Sequence, residues 1–182
     1  MRKKKANSNP AKKLDRQRKK FLRIRFDSES KGQPRLTDLR QRLLRIAGEE
    51  ICARPEPHIE EILTRGREWP TRHRKVEGGE PNHCHANVAT LWSKNPDQLA
   101  IVIGYALADD NVWRQHTWAW SMISERIVET TRPFRDYFGF QMNDEEASRF
   151  AMANAESKEV KKKIASHFVT SQPREVPAER RA

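Results

Sequence analysis

The feature that most constrains the fold is the run Leu99-Ala-Ile-Val-Ile-Gly-Tyr-Ala-Leu107. An unbroken apolar stretch of this length, rich in β-branched residues and followed by turn residues, reads as a buried strand. Asp109-Asp110-Asn111 supplies the turn. Val112 to Ile123 is a Trp-rich second strand, and Glu125-Arg126 is a tight connection into a third, Ile127 to Thr131. Asp136 to Gly139 reads as a strand end packed on this meander. A short meander needs helices to cover it, and the flanks supply them. Leu36, Leu39, Leu43, Leu44, Ile46 and Ala47 recur at intervals of three and four, predicting a helix from Pro34 to about Ala53, before Pro55 and Pro57. Further helices are expected over Ile59–Thr64, Cys84–Trp92 and Ser157–Val169. Another should open at Asn143, an N-cap followed by Asp144-Glu145-Glu146. Arg67 to Asn82 reads as a loop with Gly78-Gly79 as its softest point. Helices flanking an antiparallel meander make an α+β domain.

The chain of 182 residues has room for one such domain, at roughly 100–200 residues per domain. No apolar run approaches the roughly 20 residues that span a bilayer, so no membrane role is expected. Met1-Arg2-Lys3-Lys4-Lys5 is not followed by the apolar stretch of a signal peptide, and two cysteines make no disulfide scaffold. The expected location is therefore intracellular, in the cytoplasm. The net charge of +11 is unevenly distributed. Residues 1–25 carry twelve basic side chains and one acid, while the remainder balances at 24 basic and 24 acidic. This predicts a basic arm over residues 1–30, disordered or helical around Lys12–Phe26, a single domain over 31–170 and a flexible tail over 171–182. An arm of that kind can be removed without loss of stability, and residues 1–25 can contact nucleic acid or another polyanion. A neutral sum for the rest does not exclude a local basic patch in the fold.

Three short motifs carry chemistry. Pro81-Asn82-His83-Cys84-His85 delivers a cysteine to a helix start, where the helix dipole and nearby imidazoles lower a thiol's pKa. His116-Thr117-Trp118 places a histidine on the second strand. Ile127-Val128-Glu129-Thr130-Thr131 places a carboxylate on the third. A thiol nucleophile needs a base, and the base needs a third group to fix its tautomer. Adjacent antiparallel strands can set His116 and Glu129 side by side.

In its order of Cys, His and acid, with Gly104-Tyr105, His-x-Trp and acid-x-Thr on successive elements, the stretch Pro81–Gly139 resembles the core of the transglutaminase-like and papain-like cysteine enzymes. The resemblance implies Cys84 as nucleophile, His116 as general base and acid, and Glu129 as the orienting group, with no cofactor. It implies acyl transfer or hydrolysis on a protein or small amide substrate. These families more often have Asp or Asn in the third place. They also often use a glutamine shortly before the cysteine for the oxyanion; none lies between Gln41 and Cys84, so Asn82 or backbone amides must take that part. His85 and Asn87, next to the thiol and one turn along, are candidates for substrate contact. Trp118 shares a strand face with His116 and is a candidate shield for the site. Arg132 and Arg135 are candidates for recognising an anion.

Two other readings compete. His83, Cys84, His85 and His116 are all zinc-binding residue types, but an extended chain turns Cys84 away from its two neighbours, and no Cys-x-x-Cys or His-x-x-x-His spacing accompanies them. A catalytically inactive binding protein, carried to nucleic acid or an acidic partner by its arm, is the other. Cys52 reads as structural, and the tryptophans and Tyr105 read mainly as core.

Overall fold

In the computed structural model, which describes residues 15–171, the predicted meander forms the centre of a mixed sheet with helices on one face. In chain order the elements are α1 (Arg16–Gly32), α2 (Arg35–Ile46), β1 (Glu50–Cys52), α3 (Ile59–Arg65), β2 (Arg67–Glu68), β3 (Lys75–Val76) and α4 (Cys84–Trp92). They continue with β4 (Leu99–Leu107), β5 (Val112–Ser121), β6 (Arg126–Glu129), β7 (Asp136–Gln141), α5 (Asp144–Asn154) and α6 (Lys158–Ser171). The strand order is β2-β7-β4-β5-β6-β3, and β1 also pairs with β5. The chain is thus α+β. No helix among the described residues is long and apolar enough to cross a membrane.

Strand alternation sorts the core into two clusters. Ile101, Ile103, Tyr105 and Leu107 of β4 face the helices, packing with Leu36, Leu39 and Leu43 of α2 and Val88, Ala89 and Trp92 of α4. Val102 and Ala106 point the other way. There Trp118, Ile127, Phe134, Tyr137 and Trp69, with no helix among them, close the opposite face. Gly139 makes room for this aromatic layer: a Cβ there would sit 2.9 Å from the Trp118 ring, and its carbonyl accepts from Trp69 Nε1 at 2.8 Å.

The helix expected to run to Ala53 stops at Ile46, and residues 50–52 form a strand parallel to β5, in register Glu50 with Val112. Gly48 causes the break, with φ at +85°, a conformation that favours glycine. Distant groups then hold the exit: Trp113 Nε1 donates to Ala47 O at 2.7 Å, and Asn111 O accepts from Glu49 N at 2.8 Å. Short strands at Arg67–Glu68 and Lys75–Val76 likewise interrupt the expected loop. The Asn143 cap is present as a reciprocal box with Glu146, at 2.9 and 2.8 Å.

The arm is the larger correction. Residues 1–14 lie outside the described residues, as does the expected tail apart from Ser171, but 16–30 belong to helix α1. Leu22 and Phe26, four apart on one face, are buried, Leu22 against Val112 and Phe26 in the helix-side core. Three of the supposed free cations pair with acids of the domain: Arg18 with Asp110 at 2.7 Å, Lys19 with Glu49 at 3.2 Å and Arg23 with Glu50 at 2.8 Å. Glu50 has no solvent exposure, and Arg40 also grips it with two nitrogens at 3.0–3.1 Å. Counting charge by segment separated partners that the fold joins. Deleting residues 1–30 is therefore expected to lower the melting temperature. Phe26→Ala alone should remove about 3 kcal/mol of stability in urea unfolding, the usual loss for a buried Phe; an unchanged midpoint would show that α1 contributes nothing.

Candidate active site

Strand β5 has β4 along the whole of one edge, while two strands share the other. β1 takes Val112–Arg114 and β6 takes Ala119–Ser121, so residues 115–118 have no strand partner on that side. The sheet forks there. His116 lies in the gap, and α4, packed on the helix face of the sheet, brings Cys84 at its N-terminus to the same place.

The His116 side chain and the backbone N–H groups of Thr117 and His85 are the groups near the Cys84 sulfur that favour its thiolate. The Thr117 amide is free to donate because the fork leaves that edge of β5 unpaired. Burial pushes the thiol up, but the His116 bond and charge, with the two amides, outweigh it and hold Cys84 below an ordinary thiol. His116 is buried and meets Glu129 through Nε2, 2.9 Å from one carboxylate oxygen and 3.1 Å from the other. That leaves Nδ1 as the ring nitrogen for the thiol. Burial works against the imidazolium, yet the bonds to Cys84 and Glu129 prevail and push His116 up to about 9. The two groups titrate as one unit, thiolate with imidazolium.

Glu129 has no solvent exposure and is saturated with donors. Oε1 accepts from the N–H groups of Thr130 and Thr131 at 2.9 Å and from the Thr131 hydroxyl at 3.0 Å. Oε2 accepts from the Tyr137 hydroxyl at 3.0 Å in addition to His116. Burial alone would raise this carboxyl; the His116 interaction and the Thr131 donors hold it below its usual range. Tyr137 is pushed up by burial and by the Glu129 charge, so it stays a donor, and its oxygen accepts from Phe134 N at 3.0 Å. The ring of His116 lies against Phe134, with centroids 4.6 Å apart, and parallel to Trp118 at 6.1 Å and 21°.

The remaining candidates separate. Asn82, in the left-handed region at φ +66°, lines the groove beside Cys84. His85 is lowered by burial and by the nearby charge of His116, and its Nδ1 shares a hydrogen bond with the Thr117 hydroxyl at 2.6 Å. Trp118 is fully buried behind His116 rather than over the thiol. Asn87 is occupied elsewhere: it clamps the loop before the cysteine by bonding both N–H and C=O of Glu80, at 3.1 and 2.8 Å. Arg135 reaches Asn111 Oδ1 at 2.6 Å. His83 leans to Glu156 at 3.3 Å, and no cluster of three or more metal-ligating side chains occurs among the described residues. The sequence reading missed Tyr137 and the Thr117 amide. Both act through strand register, which no local motif reports.

A groove of about 750 Å³ opens at Cys84, and a second cavity of about 500 Å³ lies along α3 and α5. His85, Gln115 and His116 line both. Comparison with family models, with curated proteins and with solved structures finds no match to this chain.

Proposed function

We propose that this chain is a cysteine-dependent acyl-transfer enzyme with a papain- or transglutaminase-like core, acting on an amide through a thioester on Cys84. The observation that carries the reading is the chain of side chains in which the Cys84 thiol shares a groove with His116, and His116 is hydrogen-bonded to a buried, fully coordinated Glu129. A structural cysteine needs no such chain, whereas a nucleophile needs a base and the base needs an orienting group. The Cys84 thiolate attacks the carbonyl carbon, forming the C–S bond and moving the carbonyl electron pair onto oxygen. The first amide of α4, which has no acceptor within its helix, and the Asn82 side chain are the donors at hand for that oxyanion. His116 gives its proton to the nitrogen as the C–N bond breaks. Neutral His116 then takes a proton from water or an incoming amine, whose lone pair attacks the thioester and returns the thiolate. Protease, deamidase, amidase and transglutaminase chemistry share these steps.

Incubation with a mixture of synthetic peptide amides, acid quenching and mass spectrometry of the Cys84 peptide tests this. A hydroxylamine-labile acyl mass is expected, and Cys84→Ala should show none. Turnover should rise with pH as Cys84 ionises, beginning below the range of an ordinary thiol, and fall near 9 as His116 loses the proton it donates. Cys84 that reacts with iodoacetamide at pH 6 no faster than free cysteine would sink the proposal.

A further inference from the structure

Resting on that reading, we infer that the groove beside Cys84 takes an acyl donor with carboxylates flanking its scissile amide, an acidic peptide segment. Three arginines line this groove, Arg54, Arg114 and Arg132, and no Asp or Glu does. Arg114 is held by both oxygens of Asp110, at 2.8 and 2.6 Å, and Asp110 also holds Arg18, so this trio keeps one positive charge. Arg54 and Arg132 are exposed, and neither has an acidic partner among the described residues. Their positions follow from the fork. Arg54 comes just after β1 and Arg132 just after β6, so one free guanidinium stands on each side of the gap that holds His116 and Cys84. Arg132 is braced over the Phe134 ring at 5.0 Å, and Phe134 packs on His116, which sets that cation one ring from the imidazole. A guanidinium fork matches a carboxylate with two parallel hydrogen bonds.

The second cavity is more acidic, with Glu56, Glu61 and Glu146 in its lining against one arginine, Arg149, so an anionic group is favoured on the Cys84 side. The near-neutral charge sum of residues 26–182 hides this separation. A polynucleotide would also be drawn to the arginines, but its sugar-phosphate backbone has no acyl carbon for the thiolate. An acidic peptide supplies both the charge and the reacting bond.

The test compares alkylation of Cys84 in the full chain by iodoacetate and by iodoacetamide, resolved by mass spectrometry. Both reagents meet the same thiolate, so the ratio of their rates cancels any change in its population. The ratio should exceed that of free cysteine by about tenfold at low salt and shrink at high salt. Arg54→Gln and Arg132→Gln should each lower it roughly threefold, and the double variant should approach free cysteine. Lys162→Gln, one charge removed far from the groove, should leave it unchanged. Fast iodoacetamide labelling with a free-cysteine ratio overturns the acidic specificity alone; slow labelling by both reagents overturns the thiol-nucleophile reading with it. A polyglutamate peptide should also protect Cys84 from iodoacetamide better than an oligonucleotide of equal charge, and equal or stronger protection by the oligonucleotide overturns the choice of peptide.

Discussion

His116→Ala is expected to slow iodoacetamide labelling of Cys84 at pH 6 by about a hundredfold, because an unassisted thiol with a pKa of ~8.5 is ionised there to only about 0.3%. In the native site the His116 interaction is the main effect that opposes burial and favours the thiolate. Without it, burial acts with only the Thr117 and His85 amides opposing it, and the thiol moves upward. The change has a signature beyond its size. Native labelling should rise at lower pH than a lone thiol's and then run flat until His116 deprotonates near 9, whereas the variant should climb about tenfold per pH unit, as a lone thiol does. His116→Ala also opens a hole between Phe134 and Trp118, so His116→Gln, which fills more of that space, should accompany it. Both should lose the flat profile. A variant that keeps it would show that the helix start and the two amides, not the histidine, hold the thiolate. Turnover should fall further than labelling, since the proton donor for the leaving nitrogen goes too.

Segments whose structure is set by their own residues were legible. Leu99–Leu107 and Cys84–Trp92 begin and end at the predicted residues, because an apolar run bounded by polar turns and a helix start after a loop are local signals. The helix predicted over 47–53 was not legible, since Ile51 and Cys52 become strand only by lying parallel to Val112–Arg114, some 60 residues on. Helix α1 was legible as a helix around Lys12–Phe26 but not as part of the domain, for a related reason. Its apolar spacing at Leu22 and Phe26 was readable, but the acids that use its charges sit at positions 49, 50 and 110. The site divides along the same line. Cys84, His116 and Glu129 lie in three local motifs, and a hairpin-linked meander suffices to bring the last two together. Tyr137 reaches Glu129 from β7, which is separated from β6 by β4 and β5, across Gly104 and Ala106. Only the strand order reveals that reach. The two residues that flank the fork, Arg54 and Arg132, likewise look unrelated until β1 and β6 are seen on one edge of β5.

Glu129→Gln tests the third member of the chain, and the hydrogen bonds predict a severe loss in spite of the near-identical shape. Oε1 accepts three donors, the Thr130 and Thr131 amides and the Thr131 hydroxyl, so the variant's single carbonyl oxygen must take that side. Its NH₂ then faces His116 Nε2 and the Tyr137 oxygen. A donor there turns Nε2 into an acceptor, which fixes the single ring proton on Nδ1 and leaves that nitrogen no lone pair with which to take the Cys84 proton. The imidazolium is excluded as well, because its Nε2–H would point at another N–H. Turnover should fall by about 10³–10⁴-fold, the scale expected when a catalytic histidine is held in the wrong tautomer. Labelling at pH 6 should fall toward the His116→Ala rate. Stability should change much less than in Glu129→Ala, which strands the buried Thr130 and Tyr137 donors and should lose about 3–5 kcal/mol. The separating measurement is the ¹⁵N shift pair of the His116 ring. The native chain should show both nitrogens protonated up to about pH 9, and the glutamine variant a neutral ring protonated at Nδ1. Native-like shifts together with native-like labelling in Glu129→Gln would mean that the carboxylate's charge is dispensable and that Glu129 only braces the Thr130–Thr131 turn.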